Sequence, residues 1–151
     1  MVIVRCDSRA ERWLARGLRE RAERMLRALR MGGAELSLVL VGDAEIRRLN
    51  RQYRGLDRPS DVLSFPMHGR SRPKRGPLLL GDVVISADMV RRQARADGAS
   101  FIAAGERLLI HGLLHLLGSD HEVSETEARR MTRRQRMLAA SIRGLASSRR
   151  S

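Results

Sequence analysis

The chain has 151 residues, a formal net charge of +13 at pH 7, and 42% hydrophobic but only 3% aromatic content. That length supports one domain with a real core, which must be built mostly from Leu, Val, Ile, Ala and Met. Cys6 is the only cysteine, which excludes an intramolecular disulfide and a cysteine metal site. No apolar run approaches the roughly 18–20 residues needed to span a bilayer, so no membrane role is expected. Arg5 and Asp7 interrupt the short apolar start, so no secretory signal is expected either, and a cytoplasmic protein in a reducing compartment fits. Lys74 is the only lysine among 30 basic residues. Arginine's planar fork suits phosphate, and a field of this sign in a small domain points to a polyanion, with RNA or DNA first.

Val2–Cys6 reads as a short edge or first strand. Asp7 or Ser8 can cap a following helix. From Ala10 to Arg30, Trp13, Leu14, Leu18, Met25, Leu26 and Leu29 recur on one face with arginines between, predicting an amphipathic helix with a basic outer face. Gly32-Gly33 is expected to end it. Glu35–Val41 reads as a strand, and Ala44 to about Tyr53 as a helix with Ile46 and Leu49 facing inward. Asp61–Phe65 is a further strand stopped by Pro66. His68 to Pro77 is Gly-, Pro- and Arg-rich and is expected to be an exposed basic loop. Leu78–Ser86 is the next strand, with Gly81 marking a bulge. A helix over Asp88–Asp97 ends at Gly98. Ser100 caps the next helix, whose buried positions are Ile102, Leu108, Leu109, Leu113 and Leu116. Ser124 to Glu127 has the capping-box form and starts a last helix to about Ala140. Residues 146–151 are expected to be a disordered basic tail, leaving one domain over 1–145. Strands and helices alternate early and helices dominate late. The expected fold is α+β, a small mixed sheet of about four strands packed on about five helices, with the histidine-bearing helix central.

Three of the four histidines fall in the eleven residues His111-Gly-Leu-Leu-His115-Leu-Leu-Gly118-Ser-Asp-His121. At helical spacing His111 and His115 share a face one turn apart. Gly118 permits a tight turn that returns His121 to the same point. Three imidazoles leave the fourth position of a tetrahedral zinc open, the layout of a catalytic site. Zinc is the favoured metal, one per chain; nickel, copper and iron also fit an all-imidazole set. The frame matches the metzincin peptidase pattern H-E-x-x-H-x-x-G-x-x-H, except that Gly112 stands where the general-base Glu belongs. The metal site therefore argues for hydrolysis, and the missing carboxylate argues against ordinary proteolysis. His68, standing alone, reads as an ordinary structural or surface histidine. Asp120 reads either as an acceptor for a ligand histidine or as a simple turn residue.

Together the motifs carry a resemblance. They are Leu49-Asn50-Arg51-Gln52-Tyr53-Arg54, Pro59-Ser60-Asp61-Val62-Leu63-Ser64-Phe65-Pro66, Gly81-Asp82-Val83-Val84-Ile85-Ser86 and the histidine segment. The chain resembles the YbeY family of bacterial zinc-dependent endoribonucleases that act in ribosomal RNA maturation. Ser60 and Ser119 stand where that family often has Thr and Tyr; neither is an expected ligand. The resemblance implies zinc on His111, His115 and His121, cleavage of single-stranded RNA, and contact with the ribosome or its proteins. It also implies that Arg54 is a catalytic or RNA-contacting residue. Residue physics alone does not distinguish Arg54 from the many surface arginines. Ser64, Asp82 and Ser86 are expected to build the cleft wall rather than to react. Few aromatics argue against base-stacking platforms and for recognition through phosphate and shape, with strong salt dependence. Two other readings stand beside this one: a non-catalytic zinc-containing ribosome-assembly factor, and a metallohydrolase of another substrate class.

Overall fold

The computed structural model describes residues 1–67, 76–118 and 125–143. Its strands are β1 (Val2–Cys6), β2 (Glu35–Val41), β3 (Val62–Pro66) and β4 (Leu79–Ser86). Its helices are α1 (Arg12–Ala28), α2 (Asp43–Arg54), α3 (Ala87–Asp97), α4 (Phe101–Leu116) and α5 (Glu125–Ser141). The strands form one sheet in the order β1-β2-β4-β3. β1, β2 and β4 are parallel and β3 runs antiparallel to β4. The fold is α+β, as the alternation of elements leads one to expect. The capping box at Ser124–Glu127 and the tail from 146 lie outside the described residues, as does most of the expected basic loop.

Parallel neighbours require a crossover, and α1 supplies the one between β1 and β2. Period-2 alternation then divides the strands between two cores. Leu36, Leu38, Leu40, Val62, Val83 and Ile85 point to the face covered by α1, α3, α4 and α5. Val39, Val41, Leu63, Val84 and Phe65 point to the other face, where Ile46 and Leu49 of α2 meet them. α4 is the pivot, packing against α1, α3, α5, β3 and β4. Its Leu109, Leu113 and Leu114 are fully buried, each contributing about 1.5–3 kcal/mol by removal from water. Among the described residues no helix is long and apolar enough to cross a membrane.

Two local features depart from expectation. The first long helix ends before Gly32-Gly33. Arg30 adopts the left-handed conformation at φ 58°. Its N–H reaches the Arg27 carbonyl at 3.0 Å, and the Met31 N–H reaches the Leu26 carbonyl at 2.7 Å. This is a Schellman cap with arginine where glycine is usual. The partly buried Met31 packs on the core and offsets the unfavourable backbone. The outer face of α1 is also not the only place for its arginines. Arg21 is buried between α1 and α4, where its Nε meets Glu106 and its Nη1 donates to the Gly17 carbonyl at 3.0 Å. The bulge expected near Gly81 is present. β2 pairs Glu35 with Leu79 and then Leu36 with Gly81, skipping one residue, and Gly81 has φ 129°.

Candidate active site

α4 begins at Ser100, whose hydroxyl accepts the Ala103 N–H at 3.1 Å, replacing one of the first turn's missing partners. Three turns later His111 and His115 stand one above the other. Their Nε2 atoms are 3.1 Å apart and their rings meet edge to face at 4.5 Å and 64°. Two nitrogens on one tetrahedral zinc, at about 2.0–2.1 Å each, lie about 3.3 Å apart. The convergence of the two imidazoles thus fits a shared metal ion.

The rotation of α4 that aims this pair is set by Gly112. A Cβ there would lie 2.7 Å from Val83 Cγ1 and 2.8 Å from Val62 Cγ2. The helix therefore presses its backbone onto β3 and β4 at this point, and only glycine permits it. Ser64 adds a tether: its hydroxyl donates to the Gly112 carbonyl at 2.7 Å. With Gly112 against the sheet, the neighbouring His111 lies about 100° round the helix, toward the edge formed by β3. A carboxylate base at residue 112 has no space, which gives the missing Glu a steric explanation.

Arg54 arrives from the other side of the sheet. It is the last residue of α2, and Gly55 ends that helix at φ 69° with its N–H on the Arg51 carbonyl. The negative end of the helix dipole favours a cation there. Buried Asn50 donates from Nδ2 to the Arg58 carbonyl at 2.9 Å, fixing the loop between α2 and β3. At the other end of α2, Asp43 accepts two bonds from Arg92, at 2.7 and 3.0 Å, and one from Ser86 at 2.9 Å. The Arg92 guanidinium, outweighing burial and aided by the Ser86 hydroxyl, holds the Asp43 carboxyl below its ordinary range.

Because β3 is an edge strand, elements from both faces meet around it. Arg54, His111 and His115 line one cleft of about 660 Å³, walled by Ser60, Asp61 and β3 residues including Ser64. Tyr53, which the sequence reading does not single out as a site residue, lines it too. Its position beside Arg54 was the available signal. Ser86 lies elsewhere, buried, and caps α3 by accepting the Met89 N–H at 3.1 Å. Asp82 lines a separate groove. His121, Asp120 and His68 lie outside the described residues. Among the described residues no third His, Cys, Asp or Glu completes a metal-binding group.

The sequence pattern of the endoribonuclease YbeY family matches residues 5–143. The chain belongs to that family. An endoribonuclease YbeY of Anaeromyxobacter sp. (strain Fw109-5) is 53% identical over 125 residues, covering 83% of this chain and 63% of that relative. That of Geobacter metallireducens is 48% identical over 124 residues, covering 82% and 83%. The solution structure of a Thermotoga maritima protein superposes with a TM-score of 0.67 at 28% identity, covering 94% of this chain and 89% of that one. The YbeY match extends well beyond the Leu49–His121 motifs, taking in α1 and α5. It therefore includes the whole scaffold that brings α2 and α4 together at β3.

Proposed function

We infer that the chain is a zinc-dependent, single-strand-specific endoribonuclease that works in the cytoplasm on ribosomal RNA maturation and ribosome quality control, with residues 1–145 as its working unit. The observation that carries the reading is the shared cleft: two converging imidazoles and Arg54 line one cavity beside β3. His111, His115 and His121 would hold one zinc ion. Bound there, it supplies Lewis acidity toward a phosphoryl oxygen and a water of lowered pKa. Arg54 donates two hydrogen bonds to non-bridging phosphate oxygens and stabilises the charge that grows on them as the phosphodiester is cleaved. Ser64 and Gly112 hold α4 so that the histidines face that phosphate. The net charge of +13 draws the strand in and makes its binding fall with salt. The filled space beside Gly112 counts against a peptidase-like mechanism with a carboxylate base at that position.

The test combines elemental analysis with cleavage of single-stranded RNA. Wild type and Arg54→Ala should each hold one zinc per chain, and His115→Ala should hold none after dialysis. Cleavage should be absent in His115→Ala and fall about 10²–10³-fold in Arg54→Ala. Stoichiometric zinc in His115→Ala would refute the ligand assignment. The assembly-factor reading is favoured by α5, which carries five arginines between residues 129 and 136. It gains if wild type binds ribosomal RNA, keeps binding it without metal, and cleaves nothing above a contaminant control.

A further inference from the structure

The four aromatic side chains form two pairs. Trp13 and Phe101 stack at 6.2 Å and 22° between α1 and α4, inside the helical layer. Tyr53 and Phe65 meet edge to face at 5.2 Å and 63°, at the cleft. Tyr53 is 61% exposed, the only aromatic among the described residues with so much of its ring in solvent. A large ring left in water needs a reason, since burial against α2's apolar partners would stabilise the fold. Phe65 meets it at a steep angle, and Tyr53 stays largely exposed.

The placement of this pair gives the reason. Tyr53 and Phe65 line both the cleft of about 660 Å³ that holds Arg54 and the histidines and a second groove of about 420 Å³ on the α2 face of the sheet. They are the shared wall between the two. The second groove has a different character. Its apolar floor of Val39, Leu49 and Val84 is flanked by Asp7 and Asp82 against Arg5, with Glu45 also on the rim but bridged by Arg48 through both carboxylate oxygens at 2.7 and 3.0 Å. Such a rim repels phosphate but accepts hydrogen bonds from the amino groups of bases. Phosphate and base thus have separate destinations on either side of Tyr53.

Resting on the endoribonuclease reading above, we propose that Tyr53, braced by Phe65, is the stacking platform for an unpaired base next to the phosphate that Arg54 engages, with the base directed into the groove beside Asp82. Stacking on a ring face tolerates any base, so Tyr53 contributes single-strand preference rather than sequence preference. A duplex cannot present a base face to it. The low aromatic content argues against an extended stacking surface, and Tyr53 departs from that expectation at one ring only.

The test uses wild type, Tyr53→Ala, Tyr53→Phe and Tyr53→Trp, all zinc-loaded. Each is assayed on a single-stranded RNA and on a series of the same strand with one abasic nucleotide moved across the cleaved bond. Binding to a labelled phosphorothioate strand is followed by anisotropy. Tyr53→Ala should raise KM and Kd about tenfold and leave kcat within about threefold, while the Phe and Trp variants stay near wild type. One abasic position should weaken wild type by about the same tenfold and leave Tyr53→Ala unaffected, because the stacking partner is already gone. Equal sensitivity of wild type and Tyr53→Ala to every abasic position would overturn the proposal. So would a Tyr53→Phe variant as defective as Tyr53→Ala, since that implicates the hydroxyl. If wild type neither binds nor cleaves any single strand, the endoribonuclease reading falls first, and that outcome is distinct from a change confined to Tyr53.

Discussion

Replacing Gly112 with alanine sets two local effects against each other. Alanine is the better helix former by about 1 kcal/mol. Were α4 free of the sheet, Gly112→Ala would therefore stabilise the protein by about that amount. The packing predicts the opposite sign. The new methyl would lie 2.7 Å from Val83 and 2.8 Å from Val62, both buried. Carbon atoms prefer about 3.5–4.0 Å, so each contact is short by about 0.7 Å or more. Valine has few rotamers to yield with, and the clash involves two strands at once. Overpacking of this kind costs about 1–3 kcal/mol. Set against the helix gain, this leaves a net loss of about 0–2 kcal/mol, a drop in Tm of up to about 8 °C for a chain of this length. The measurement is urea unfolding with chelator present, which removes any contribution of bound metal. Val83→Ala in the same background should restore part of the loss, giving a favourable coupling of about 1 kcal/mol in the double-mutant cycle. A Gly112→Ala protein more stable than wild type would refute the close approach of α4 to the sheet, and with it the account of how His111 is aimed.

Arg30→Gly should raise stability by about 0.5–1 kcal/mol, because glycine occupies the left-handed cap without the Cβ penalty; an unchanged or lower urea midpoint would contradict the Schellman assignment. Asp43 gives a pH effect. Its folded pKa is lowered by Arg92, so it contributes stability above its unfolded pKa and loses it as pH falls below about 4. Thermal melts of Asp43→Asn between pH 7 and pH 3 should show a shallower acid slope than wild type; parallel slopes would show that the Arg92 contact has no bearing on acid stability.

Much of this protein is legible in one dimension. Alternation in Glu35–Val41, capping at Ser100 and the four-residue step from His111 to His115 are local properties, set by backbone geometry within a few residues. Each survives into the three-dimensional structure at nearly the expected position. The end of α1 does not, because its stop signal is a conformation, available at a cost to arginine when Met31 gains burial, and not a residue type. Arg21 was equally hidden: nothing nearby in sequence says that Glu106 waits across the α1–α4 interface.

The candidate site divides the same way. The residues alone determined a charge suited to polyanions, a paired imidazole motif and the absence of a carboxylate at 112. They could not decide that β3 pairs antiparallel at the sheet edge, since strand order depends on which helix faces find each other in space. That choice alone lets α2 and α4, on opposite faces, meet around one strand and bring Arg54 to the histidines. It also decides why residue 112 is glycine and why Tyr53 remains in solvent, because both follow from distances between segments about 30 to 60 residues apart, which no local pattern encodes.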